Sequence, residues 1–102
     1  MLRVEFHDTS NTVVMRIEGR FVGEYAEETQ NMVKRNLPLR IVVDVSEVTF
    51  VDSVGEAVLS WLAQAGAKFL ADSSYARDVC ERLRLPKTRK RIPSNGQVAF
   101  AE

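Results

Sequence analysis

A change of period in the middle of the chain constrains the fold most. The segment Ile41 to Leu62, IVVDVSEVTFVDSVGEAVLSWL, passes from an apolar run to helical spacing. Ile41, Val42 and Val43 are consecutive β-branched residues, the composition of a strand covered on both faces. Asp44 is expected to end that run, with Val48, Phe50 and Val51 bringing the chain back toward the core. From Ser53 onward, Val54, Ala57, Val58, Leu62 and Ala65 recur at the spacing of one helix face, and Leu59 and Trp61 widen the stripe. The sharp turn at Asp52-Ser53 therefore joins a strand to a helix. Turns of that kind are where α/β proteins carry their sites.

The flanks supply the rest of a sheet. Leu2, Val4 and Phe6 alternate with Arg3, Glu5 and His7, and Val13, Met15 and Ile17 alternate with Val14, Arg16 and Glu18. Asp8 to Asn11, DTSN, is turn chemistry, so the two runs form an antiparallel hairpin. Gly19 and Gly23 bracket a loop, and a helix is predicted over 24–36 with Tyr25, Thr29, Met32 and Val33 on one face. Its early glutamates and its late Lys34 and Arg35 match the helix dipole, and Asn36 and Pro38 stop it. Gly66 ends the central helix, and Lys68 to Ala71 reads as a short strand. Ser73 or Ser74 caps a third helix with Ala76, Val79, Cys80 and Leu83 inward, and Pro86 closes it. Val98 and Phe100 alternate as a short edge strand. The order ββαβαβα predicts an α/β domain: a mixed four- to five-stranded sheet with helices packed mainly on one face. The exposed hairpin strand is an edge to which a second copy can pair, giving a homodimer.

At 102 residues the chain suits one core. The domain is expected over 1–85, followed by a basic, flexible tail over 86–102. Residues 1–81 carry 8 Lys/Arg against 13 Asp/Glu, whereas 82–102 carry 6 against 1. The basic run has no interleaved aromatics, so it reads as a solvated terminus rather than a nucleic-acid contact. No apolar run approaches the ~20 residues needed to cross a bilayer, and the N-terminus lacks the apolar stretch of a secretory leader. The lone cysteine cannot form an internal disulfide, which suits a cytoplasmic protein.

The usual catalytic sets are absent. One histidine and one cysteine cannot build a common zinc site, and no glycine-rich phosphate loop is present. No cofactor, metal or catalytic residue is expected, and the chain does not read as an enzyme. Asp44 and Asp52 are the one pair that a metal, nucleotide or acid–base reading would use, and no third ligand accompanies them. Ser53 has two readings. With Glu56 it matches the capping box S-x-x-E. As a residue at a helix start, it also stands where free N–H groups and the dipole favour a phosphate, although a Ser53 phosphate would face the Glu56 carboxylate.

Asp44-Val45-Ser46-Glu47-Val48-Thr49-Phe50-Val51-Asp52-Ser53-Val54-Gly55 resembles the signature of STAS domains, the anti-sigma factor antagonist (anti-anti-sigma factor) family: D-[LV]-S-x-V-x-F-[IVM]-D-S-[ST]-G. Ile17-Glu18-Gly19 is similar to the family's second strand and Ala65-Gly66-Ala67 to the end of its helix, so the resemblance spans about residues 2–85. Val54 replaces the usual Ser or Thr, and Glu56-Ala57 the usual Leu-Gly. The resemblance implies a STAS-like fold and a bacterial signal-transduction module in transcription regulation, working by protein–protein interaction. It implies a phosphoprotein in which an anti-sigma factor, an ATPase-type serine kinase, phosphorylates Ser53. The partner-binding surface would include Asp52, Ser53, Val54, Gly55 and Glu56, with Asp44 in support. The alternatives are a non-phosphorylated STAS docking subunit of an ABC-type phospholipid transport complex, in which Glu56 holds Ser53 in its cap, and a nucleotide- or ligand-binding regulatory domain.

Overall fold

Leu2–Thr9 (β1) and Thr12–Phe21 (β2) pair antiparallel in an unbroken register from Leu2–Gly19 to Thr9–Thr12. The chain continues through helix α1 (Gly23–Arg35), strand β3 (Ile41–Val51), helix α2 (Ser53–Gln64), strand β4 (Lys68–Leu70) and helix α3 (Ser74–Leu83). The computed structural model describes residues 2–9, 11–36 and 40–88. The four strands lie in the order β1-β2-β3-β4, with β2, β3 and β4 mutually parallel. This is the expected mixed sheet with the hairpin at one side. The fifth strand expected at Val98 and Phe100 lies outside the described residues.

Asp44 does not end a strand. β3 runs on to Val51, because the sheet absorbs two irregularities there. Arg16 pairs with Asp44 but Glu18 with Glu47, and Gly19 pairs with Val48 but Arg20 with Phe50. β3 thus carries one extra residue in each interval, and each extra residue shifts the inward phase. Val43, Val45, Val48 and Val51 are buried in consequence, while Phe50 turns outward and is 42% exposed. The Asp44 carboxylate accepts from the Ser46 amide at 3.0 Å, covering a donor at the first irregularity. β2 is equally continuous. The expected loop after Gly19 is instead strand as far as the fully buried Phe21, and Gly19 takes φ 101° beside the second irregularity, a value glycine adopts at little cost.

The core lies between one face of the sheet and the helices. Met15, Ile17, Val43 and Phe69 from the strands meet Ala26 and Val33 of α1, Val58, Leu59 and Leu62 of α2, and Val79 and Cys80 of α3. Full burial of a Val, Leu, Ile, Phe or Met side chain contributes roughly 1.5–3 kcal/mol. Thr29 is buried among them, and its hydroxyl donates to the Tyr25 carbonyl at 3.0 Å. Tyr25, expected inward, is 53% exposed, and Ala26 takes the buried position.

The other sheet face is a lattice of charges. Arg3 pairs with Glu5 at 2.5 Å, and Arg16 lies 3.8 Å from Glu18 and 3.9 Å from Asp44. The His7 hydrogen bond, then Arg3, hold the Glu5 carboxyl below its ordinary value. Beyond the expected boundary at Leu85, the chain is bound to β4: Phe69 donates to the Pro86 carbonyl and Thr88 to the Phe69 carbonyl, each at 2.8 Å.

Candidate functional site

The parallel strands β2 and β3 both end at the helix-start end of the sheet, and each feeds a helix there. α1 begins after Val22, an apolar residue with no side-chain cap. α2 begins after Asp52, whose extended backbone (φ −93°, ψ −174°) is that of an N-cap. Asp52 Oδ1 accepts from the Gly55 amide at 2.8 Å, and Oδ2 accepts from the Gly23 amide at 3.1 Å. One carboxylate therefore caps both helices. Its main-chain carbonyl also accepts from the Glu56 amide at 2.8 Å.

The capping box expected at Ser53 and Glu56 does not form. Ser53 is already the first helical residue, and the Glu56 amide that its hydroxyl would need donates instead to the Asp52 main-chain carbonyl. Glu56 is turned toward α3, where its Oε2 accepts from Arg82 Nη1 at 2.6 Å. That bond raises the guanidinium pKa further above its ordinary value.

Gly55 explains how closely α2 approaches the sheet. A Cβ built there would lie 2.1 Å from the Phe21 carbonyl oxygen and 2.8 Å from Val51 Cγ1. Only glycine lets the first turn of α2 rest on the end of β2. From α3, the Tyr75 hydroxyl accepts from the Val51 amide at 2.8 Å, so the end of β3 is also held from that side.

The five turn residues expected to face a partner divide accordingly. Asp52 is half-buried and committed to the two helix starts, Gly55 is buried in backbone packing, and Glu56 is paired with Arg82. Ser53 is exposed and Val54 half-exposed. Three further residues face outward here that periodicity does not single out. Phe50 projects from the end of β3 with the Arg20 guanidinium 4.9 Å above its ring, and Tyr25 stands in the first turn of α1. Only the strand irregularities reveal Phe50 as a surface residue. Asp44 lies on the open, charged face beside Arg16, so the structure does not bring it together with Asp52. Among the described residues no group of three or more His, Cys, Asp or Glu is placed to hold a metal ion, and no helix is long and apolar enough to cross a membrane.

No family model and no curated protein matches the sequence. Solved structures do match. The anti-sigma factor antagonist SpoIIAA in its unphosphorylated form superposes with a TM-score of 0.70 at 17% identity, over 81% of this chain and 82% of that one. An anti-sigma factor antagonist from Mycobacterium paratuberculosis gives 0.68 at 17% identity, over 100% and 87%. The chain has the fold of the anti-sigma factor antagonists. Within that fold, the stretch Asp44 to Gly55 is most of β3 and the first turn of α2. Mglu is matched at 15% identity with a TM-score of 0.52, over 64% of this chain but only 18% of its own. About two thirds of this fold thus also occurs within a small part of a much longer protein, and fold alone does not assign a role.

Proposed function

We propose that this protein is a regulatory protein–protein interaction module of the anti-sigma factor antagonist type, binding an anti-sigma factor that is also a serine kinase, and switched by phosphorylation of Ser53. One observation carries the reading: at the turn where the sequence resembles the family's phosphorylated serine, Asp52 performs the structural task and leaves the Ser53 hydroxyl exposed. Two amides of the first turn of α2, those of Ser53 and Val54, have no partner among the described residues, so a phosphate would meet unfilled donors and the positive end of the dipole. The Asp52 carboxylate is held by hydrogen bonds from two backbone amides, and Glu56 is paired with Arg82.

The docking surface in this reading is Ser53 and Val54 flanked by Phe50, Arg20 and Tyr25. Exposed aromatics and arginine are the residues that anchor protein interfaces, and a phosphate at their centre would add about −1.5 to −2 charges. The alternative of a docking subunit with Ser53 held permanently by Glu56 loses its motivating contact, since Glu56 bonds to Arg82.

The test is incubation with an ATPase-type anti-sigma kinase, most simply one encoded beside this gene, and ATP, followed by mapping of the phosphate by mass spectrometry. Uptake at Ser53, abolished in Ser53→Ala, is the expected result. No uptake at Ser53, together with unchanged kinase binding by Ser53→Asp, would sink the switch.

A further inference from the structure

The outer edge of β1 is a second surface, remote from Ser53. Val13 donates its amide to the Arg40 carbonyl at 2.9 Å, on the β3 side of β2. In an antiparallel ladder its partner Asp8 must then turn its own N–H and C=O away from β2. The same phase directs the backbone groups of Phe6, Val4 and Leu2 outward. Natural edge strands are blunted by bulges, prolines, inward-pointing charges or charged side chains along the edge. From Leu2 to Phe6 the register of β1 is unbroken and proline is absent; its helix-face side chains are Leu2, Val4 and Phe6, and its two charges, Arg3 and Glu5, are opposite in sign and lie on the open face. Phe6 is 43% exposed.

The sequence of β1 is complementary to itself in one register. Residues with outward backbone groups must oppose one another, so an antiparallel self-pairing sets Leu2, Val4 and Phe6 against the same set. With the axis at Val4, Leu2 opposes Phe6, Val4 opposes Val4 and Arg3 opposes Glu5. Moving the axis to Glu5 sets Glu5 against Glu5, and moving it to Arg3 sets Arg3 against Arg3; like charges directly opposite are destabilising. An axis at Phe6 sets Asp8 against Val4.

We propose that two copies of this chain pair β1 with β1 antiparallel about a two-fold axis at Val4, joining their four-stranded sheets into one continuous sheet. Hydrogen-bonded partners share a face, so Leu2 of each copy covers the exposed ring of Phe6 on the other. On the open face, Arg3 of each copy meets Glu5 of the other. Ser53 follows β3, two strands in from this edge, and stays uncovered.

Sedimentation of the full chain is expected to give twice the 11.5 kDa chain mass, reverting to monomer on dilution. Arg3→Glu and Glu5→Arg, which each set like charges across the axis twice, are expected to weaken the dimer about tenfold. An equimolar mixture of the two variants restores it, because the acids of one then face the bases of the other. In the wild-type dimer the amides of Leu2, Val4 and Phe6 exchange slowly with solvent. A monomer at concentrations on the order of 1 mM, a dimer indifferent to both substitutions, or a mixture that stays dissociated would each overturn the proposal. If circular dichroism shows either variant unfolded, the wild-type amide exchange decides alone, and rapid exchange at those three positions overturns it.

Discussion

Asp52 and Gly23, far apart in sequence, are joined by a 3.1 Å hydrogen bond from the Gly23 amide to the Asp52 carboxylate. Through it the N-cap of α2 also serves α1, whose own N-cap residue is Val22. One side chain thus ties the two helix starts together.

Asp52→Ala should lower unfolding free energy in urea by about 2 kcal/mol, since each lost cap costs typically ~1 kcal/mol. Asp52→Asn should fall between the two proteins, because its amide keeps one acceptor and sets a donor against a donor at the other contact. An Asp52→Ala curve superimposed on wild type would contradict the shared cap.

Gly55→Ala would stabilise an ordinary exposed helix by about 1 kcal/mol. Here the new methyl would lie 2.1 Å from the Phe21 carbonyl oxygen. The expected result is a net loss of about 1–3 kcal/mol in chemical denaturation, the range for overpacking a filled site.

Glu56 and Arg82 form a surface pair, with side chains 29% and 49% exposed. A double-mutant cycle to alanine should return a coupling of about 0.2–1 kcal/mol that shrinks with added salt. A coupling several times larger would show that α2 and α3 depend on this pair.

Cys80 is buried, and desolvation raises its thiol pKa above the ordinary value of 9.0. Native protein should react with a thiol reagent far more slowly than urea-unfolded protein. The sign of the linkage follows. Above the ordinary thiol value the unfolded chain ionises while the folded one stays neutral, so this group's contribution to stability is lost as pH rises. Cys80→Ala should flatten that alkaline decline.

Much of the fold was legible in the sequence because periodicity reports burial directly. The hairpin strands, α2 with Val58, Leu59 and Leu62 inward, and a serine cap for α3 all follow from local pattern, although the choice of Ser73 over Ser74 does not. What was hidden depends on pairing with distant residues. The extra residues in β3 exist only relative to β2, so Phe50 reads as core from spacing yet stands on the surface. Tyr25 and Ala26 are adjacent candidates for one buried position, and sequence spacing cannot choose between them. At the site, S-x-x-E and D-S-x-G both offer a cap within one residue of each other. Asp52 wins because its carboxylate satisfies a second amide, at Gly23, which no local pattern displays.

The proposed switch leaves Ser53 with no structural duty. Its most direct test is calorimetric titration of the anti-sigma kinase into wild type, Ser53→Ala and Ser53→Asp, alongside urea curves for each. All three proteins are expected to unfold within about 0.5 kcal/mol of one another, with Ser53→Ala binding like wild type and Ser53→Asp binding at least about tenfold more weakly through a change confined to this surface. Equal binding by all three, or a Ser53→Ala protein destabilised as much as Asp52→Ala, would contradict it.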